Sequence, residues 1–162
     1  RVAVLQPVAA ADRLKGSFSV IPCGDVDTRA FHIQPGHFAP EDCHVIHMFL
    51  EGTWYECGCP REQGTDRIAA LDVSVLQREV LTGILGITDP RGDPRLHYLG
   101  GARPVADLEA MVRSGGYAVA FSMQPVGVES VIEIADAGGI MPPKSTWFEP
   151  KLLSGLVVHT LD

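Results

Sequence analysis

The residue types best suited to chemistry gather near the end of the chain, in I-M-P-P-K-S-T-W-F-E-P-K-L-L-S-G, Ile140 to Gly155. Lys144, Ser145 and Thr146 set an ammonium, two hydroxyls and backbone N–H donors side by side, which suits a phosphate or carboxylate. The segment is not a P-loop. The G-x-x-x-x-G-K-[ST] frame is missing, and Pro142 and Pro143 have no N–H with which to wrap a phosphate. Anion contact here falls to the side chains or to the N–H groups of Ser145 and Thr146. The bland alternative is that Ser145 or Thr146 caps a following turn. Glu149 and Lys151 straddle Pro150. In a cleft, Glu149 is a candidate base or orienting carboxylate. On a surface the two form an ion pair of little energetic weight. Glu149 and Lys144 are therefore the catalytic candidates, and Lys144, Ser145, Thr146 and Lys151 the substrate-binding candidates.

The histidines and cysteines carry less. Cys57 and Cys59 form C-G-C, whereas a zinc site favours C-x-x-C spacing or a second ligand pair. His37, Cys43, His44 and His47 lie close in sequence and have metal-ligating types, but each is more often an unlinked core or surface residue, so no metal is assigned. His44, His47, His97 and His159 fall on expected strands, and the sequence does not say which converge. His159, between Val158 and Thr160, reads as a sheet-face residue.

Such groups need a scaffold, and 162 residues suffice for one domain with a sizeable core. With 46% hydrophobic and 20% charged residues, the chain belongs with globular rather than disordered sequences. A formal net charge of -7 argues against a protein that tracks a nucleic-acid backbone. No apolar run is long enough to span a bilayer. Four cysteines are too few for a disulfide scaffold, and reduced thiols in the cytoplasm are expected. The chain opens at Arg1 without a signal-type segment, which fits a piece of a longer protein.

Period and turn signals give the elements. Val2 to Val8 resembles the end of a strand. Ala9 to Lys15 reads as a short helix and Ser17 to Pro22 as a strand with Phe18 and Val20 on one face. Residues 23–42 have no period and are expected to form a long loop or to hold a short helix. His44 to Leu50 and Thr53 to Cys57 flank the turn Glu51-Gly52, a hairpin with Trp54 and Glu56 on one face and Tyr55 and Cys57 on the other. Leu71 to Ile84 is the strongest helix, with Asp72 as the expected N-cap and an end near Leu85. A short strand follows at Arg95 to Leu99, then a helix from Pro104 to Arg113. Tyr117 to Met123 is a strand buried on both faces. The helix from Pro125 to Ala137 is expected to turn Val128, Val131, Ile132 and Ala135 inward, and Leu156 to Leu161 is a final strand. The whole is a single α/β or α+β domain spanning 1–162, a mixed β-sheet packed by about three helices and including an antiparallel hairpin. The proline-rich stretch at 140–155 bridges into its last strand.

The segment A-D-A-G-G-I-M-P-P-K-S-T-W-F-E-P-K-L-L-S-G-L, Ala135 to Leu156, resembles the C-terminal signature of the family catalogued as domain of unknown function 1015. Members end in an M-P-x-K-S-T-x-F-x-P-K segment followed by a small-Gly-apolar strand. The hairpin around Phe49, Gly52 and Tyr55, the L-D-V-x-x-L start at Leu71 and the strand ending at Tyr98 agree with it. Members are more than twice as long and carry an upstream G-H-H-R-type segment that is absent here. The resemblance thus implies the C-terminal portion of a longer protein. Some members are labelled ParB-like, and related folds include nucleotide-using enzymes. The resemblance assigns no role to Lys144, Ser145, Thr146, Glu149 or Lys151 individually, and it names no cofactor.

Two functional expectations follow. The chain is part of an enzyme that handles a small phosphorylated ligand or a nucleotide. Alternatively, it is a structural or partner-binding domain whose Met141, Trp147 and Phe148 meet the missing upstream region or a second copy in a homodimer. Nucleic acid is a poor third, and a membrane partner is not expected.

Overall fold

The computed structural model describes residues 13–146, together with the backbone of residues 2–4. Trp147, Phe148, Glu149, Lys151, the expected strand Leu156 to Leu161 and most of the expected helix Ala9 to Lys15 lie outside the described residues.

Among the described residues six strands form one sheet: β1 (Val2–Val4), β2 (Ser19–Pro22), β3 (Cys43–Leu50), β4 (Thr53–Pro60), β5 (Leu96–Tyr98) and β6 (Val119–Met123). Their order across the sheet is β2-β4-β3-β6-β1-β5, and every pairing among them is antiparallel. The hairpin β3–β4 is the centrepiece. A two-residue connection, Glu51 (φ 49°) and Gly52 (φ 83°), places both residues at positive φ, as a type I′ turn requires. That turn pins the register, so Leu50 faces Thr53, Phe49 faces Trp54 and His47 faces Glu56.

Alternation along these strands makes two cores. One face carries Ile46, Met48, Leu50, Cys57, Val119 and Phe121. It is covered by Leu14, Phe18 and helix α1 (Asp72–Val75), which runs on as a π-helical stretch, Leu76–Thr82. The other face carries Phe49, Trp54 and Ala120, covered by Ile33 and by Val105 and Leu108 of helix α2 (Val105–Arg113). β6 has the buried, nearly unbroken apolar character expected of a strand covered on both faces.

Three local details depart from the expectations. Asp72 is not the N-cap of α1; Leu71 takes that position, and Asp72 sits in the first turn, where its carboxylate meets His44 and Arg61. The regular helix stops at Thr82, in a π form rather than an α form. Gly83 N–H reaches the carbonyl of Arg78 (3.1 Å), five residues back, and a Cβ on Gly83 would lie 2.7 Å from the carbonyl oxygen of Glu79. Finally, helix α3 (Val128–Asp136) does not turn Val128 and Ile132 inward. Both are more than half exposed, while Ile134 is buried. The sequence V-E-S-V-I-E-I-A-D offers two overlapping apolar stripes, and the core takes the one through Ile134. Residues 23–42 contain turns and bends only.

Candidate functional site

Among the described residues, polar groups gather around a concavity in at least two places. The larger is a cleft of about 940 Å³ between the start of α1, the start of α3 and the segment 144–146. Lys144, Ser145 and Thr146 all line it, with Arg61, Arg67 and Gln124. The first turn of α3 opens onto the same space with no side-chain cap on its N-terminus. The cleft thus offers N–H groups and a partial positive charge as well as cations.

The two prolines determine how Lys144 is presented. Pro142-Pro143-Lys144-Ser145 closes a turn in which Ser145 N–H bonds the Pro142 carbonyl (3.3 Å). Lys144, third in the turn, has φ 60°. Positive φ at that position is the mark of a type II turn and is normally supplied by glycine. A lysine there costs on the order of 1 kcal/mol. The same turn consumes the donors of Ser145, because its hydroxyl also donates to the Pro142 carbonyl (2.7 Å). Ser145 therefore holds the turn, and of the expected K-S-T donors the ammonium of Lys144 and the groups of Thr146 remain for a ligand. The other cations of the cleft are engaged. Arg61 pairs with Asp72 (3.2 Å) and donates to the Pro40 carbonyl (2.8 Å), while Arg67 pairs with Glu133 (3.0 Å). Lys144 is exposed and, among the described residues, has no ion-pair partner.

The smaller site lies on the α2 face of the sheet, under residues 23–37, beside a groove of about 330 Å³. Its centre is Glu56, which is 1% exposed. Its Oε1 accepts the N–H groups of His37 (3.0 Å) and Phe38 (2.8 Å), and its Oε2 accepts that of Gly36 (2.8 Å). The Nδ1 of His37 lies 3.2 Å from Oε2. Burial works to raise the pKa of this carboxyl, but the three backbone donors and His37 outweigh it, so Glu56 is held below the usual carboxylate range. A buried carboxylate fed by consecutive N–H groups fixes the course of a loop that has no regular structure of its own.

His47, paired with Glu56 across the hairpin, is completely buried. Its Nε2 is 3.7 Å from Glu56 Oε2, beyond hydrogen-bond reach, and neither ring nitrogen has a hydrogen-bond partner. Ser122, paired with His47 on the other side, has an equally unpartnered buried hydroxyl. Orphaned buried polar atoms cost about 1–3 kcal/mol each. Burial favours the neutral ring and lowers the His47 pKa, an effect that the Glu56 charge offsets only in part. Cys23 completes the group: its sulfur, the His47 ring and the Glu56 carboxylate bring ligand-type atoms within 4.8 Å of one another. Burial, assisted by the Glu56 charge, pushes the Cys23 thiol up to about 11, so the uncomplexed sulfur is a thiol rather than a nucleophilic thiolate at neutral pH.

Of the histidines and cysteines that cluster in sequence, then, only His47 belongs to this group, with His37 on the rim of its carboxylate. His44 points to the opposite face, where its Nδ1 meets Asp72 (2.8 Å). Cys57 is buried in that opposite core, its thiol pushed up to about 12 by burial. His97 is exposed on the short strand β5. The partnership of Glu56 with His47 was legible in the two-residue turn and the alternation of the hairpin. The arrival of Cys23 was not, because it depends on the path of residues 23–37.

No family model, curated protein or solved structure matches the chain. Among the described residues no helix is long and apolar enough to cross a membrane.

Proposed function

We propose that this chain supplies one wall of a site for a small phosphorylated ligand or nucleotide, in the cleft beside Lys144. The observation that carries the reading is the conformation of Lys144. It is held at φ 60°, where glycine is cheaper, by a turn on the lining of a cleft of ligand size, and it has no ion-pair partner among the described residues. A backbone cost of this kind is retained where the side chain is needed. Thr146 and the open N-terminal turn of α3 are further donors for phosphate oxygens. The resemblance of residues 135–156 to the domain of unknown function 1015 signature supports the same segment. Glu149 and Lys151, outside the described residues, keep their assignment as catalytic and binding candidates. The upstream region implied by the resemblance would complete the site.

The test is a titration of the protein with inorganic phosphate and with a nucleoside triphosphate, followed by NMR. Binding should perturb the amides of 127–130 and 144–146. Replacing Lys144 should weaken binding about tenfold to a hundredfold, the value of one charge-assisted hydrogen bond of about 1.5–3 kcal/mol. Unchanged affinity in Lys144→Gly would remove the reading.

A second reading has its own observation. Val128 and Ile132 on α3 and Ile140 just after it are large, apolar and exposed, at 66%, 54% and 83%. This favours a partner-binding surface for the upstream region that the resemblance implies, or for a second copy. Val128→Lys with Ile132→Glu should abolish self-association in sedimentation if a homodimer forms through it.

A further inference from the structure

We propose that Cys23, His47 and Glu56 form a site for a divalent transition metal of the zinc type, with its fourth position open to the groove lined by His32, Gln34 and His37. The proposal is independent of the anion cleft.

The geometry points to an ion rather than to hydrogen bonding. A tetrahedral zinc holds ligands at about 2.0–2.3 Å, which sets the donor atoms about 3.3–3.8 Å apart. The 3.7 Å between His47 Nε2 and Glu56 Oε2 is too long for a hydrogen bond and is a ligand spacing. The Cys23 sulfur lies within 4.8 Å of a ligand-type atom of each of these residues and needs to close by about 1 Å. It is only partly buried and lies just beyond the end of β2.

His47 provides the independent observation. A fully buried imidazole with both nitrogens unpartnered is rare in folded proteins, and ligation at Nε2 satisfies one of them. The proton is then fixed on Nδ1. Glu56 Oε2 already carries Gly36 N–H and the His37 ring, so the ion displaces His37 from that oxygen. His37 is exposed enough to swing away or to take the fourth position. A sulfur, an imidazole and a carboxylate are the donor mix of zinc and cobalt(II), not of magnesium or calcium. Binding releases one proton, from the Cys23 thiol, to solvent as the metal–sulfur bond forms.

The experiment is a cobalt(II) titration of the full chain, stripped of metal and kept reduced with a phosphine. One equivalent should bind, with thiolate-to-cobalt charge-transfer absorption and the intense visible bands of a four-coordinate ion. Cys23→Ser should lose the charge-transfer absorption and bind at least about tenfold more weakly, since loss of even an outer-shell partner has that effect. Cys43→Ser and Cys59→Ser should keep both absorption and affinity. Zinc should raise the melting temperature of the parent but not of Cys23→Ser, whose circular dichroism reports whether it folds. Absence of stoichiometric binding, or a charge-transfer band that survives Cys23→Ser, would overturn the proposal.

Discussion

The ring of Phe38 lies flat against Gly58, so close that a Cβ on that glycine would sit 2.5 Å from the ring's Cγ. Gly58 is two residues beyond Glu56 on β4 and on the same face, so loop 36–38 is held twice. Its amides are bound by the Glu56 carboxylate, and its phenylalanine is seated over the one position of β4 with no side chain. The glycine of C-G-C is thus explained by the loop and not by the cysteines that flank it. Gly58→Ala should destabilise the fold by about 1–3 kcal/mol, the usual cost of overpacking. Chemical denaturation would show this as a lower midpoint at unchanged m-value, and limited proteolysis as faster cleavage within 23–42.

Glu56→Gln should be worse for the loop than its near-identical shape suggests. The amide keeps one acceptor oxygen, but its NH2 group faces an N–H donor in place of the other. Losing charge-assisted bonds in a buried place costs on the order of 1.5–3 kcal/mol. Amide hydrogen exchange should speed up at Gly36, His37 and Phe38 and remain unchanged in α2.

The pH dependence of the metal-free protein follows from the same residues. Glu56 has a folded pKa below its unfolded value of about 4.3, so its contribution is complete above that pH. It is lost as pH falls through the lower folded value. His47, buried neutral, has a folded pKa below about 6.5, so its contribution is complete above about 6.5 and is lost as pH falls through the lower folded value. Stability should therefore begin to fall below about pH 6.5 and fall further in the carboxylate range. Glu56→Gln should flatten the lower of these two limbs in thermal melts across pH.

Lys144→Gly separates a binding role from a structural one. Relief of the left-handed strain, about 1–2 kcal/mol, opposes the entropy cost of a glycine, about 0.5–1 kcal/mol, so the variant should be as stable as the parent or slightly more so. Phosphate affinity should nevertheless drop. A parallel loss of stability and affinity would mean that Lys144 serves the fold instead.

Gly83→Ala tests the π-helical turn. The added methyl would press on the Glu79 carbonyl at 2.7 Å, and backbone cannot retreat as a side chain can. A loss of about 1–3 kcal/mol is expected, with Ile84 and Ile87 amides exchanging faster.

How far the sequence could be read differs from element to element. The hairpin was legible down to its register because Glu51-Gly52 leaves only two residues between alternating runs. The α2 helix and the buried β6 were equally plain. The face of α3 was not, since two apolar stripes overlap and tertiary packing decides between them. The π form of Leu76–Thr82 has no local signature apart from Gly83. The Cys23–His47–Glu56 group joins a strand pair that could be aligned by hand to a loop without any period. Its path is set by Glu56 itself, a buried carboxylate that accepts three main-chain N–H groups from that loop.

The position of β1 bears on the order in which the molecule assembles. Val2–Val4 is inserted between β6 and β5, strands that follow it by roughly a hundred residues. The pairs β3–β4 and β2–β4 close over short spans, so one half of the sheet can condense early. The other half must wait for two long loops to close around a three-residue wedge. Among the described strands, β5 pairs with β1 alone. Refolding should accordingly show β5 amides as the last of the sheet to gain protection.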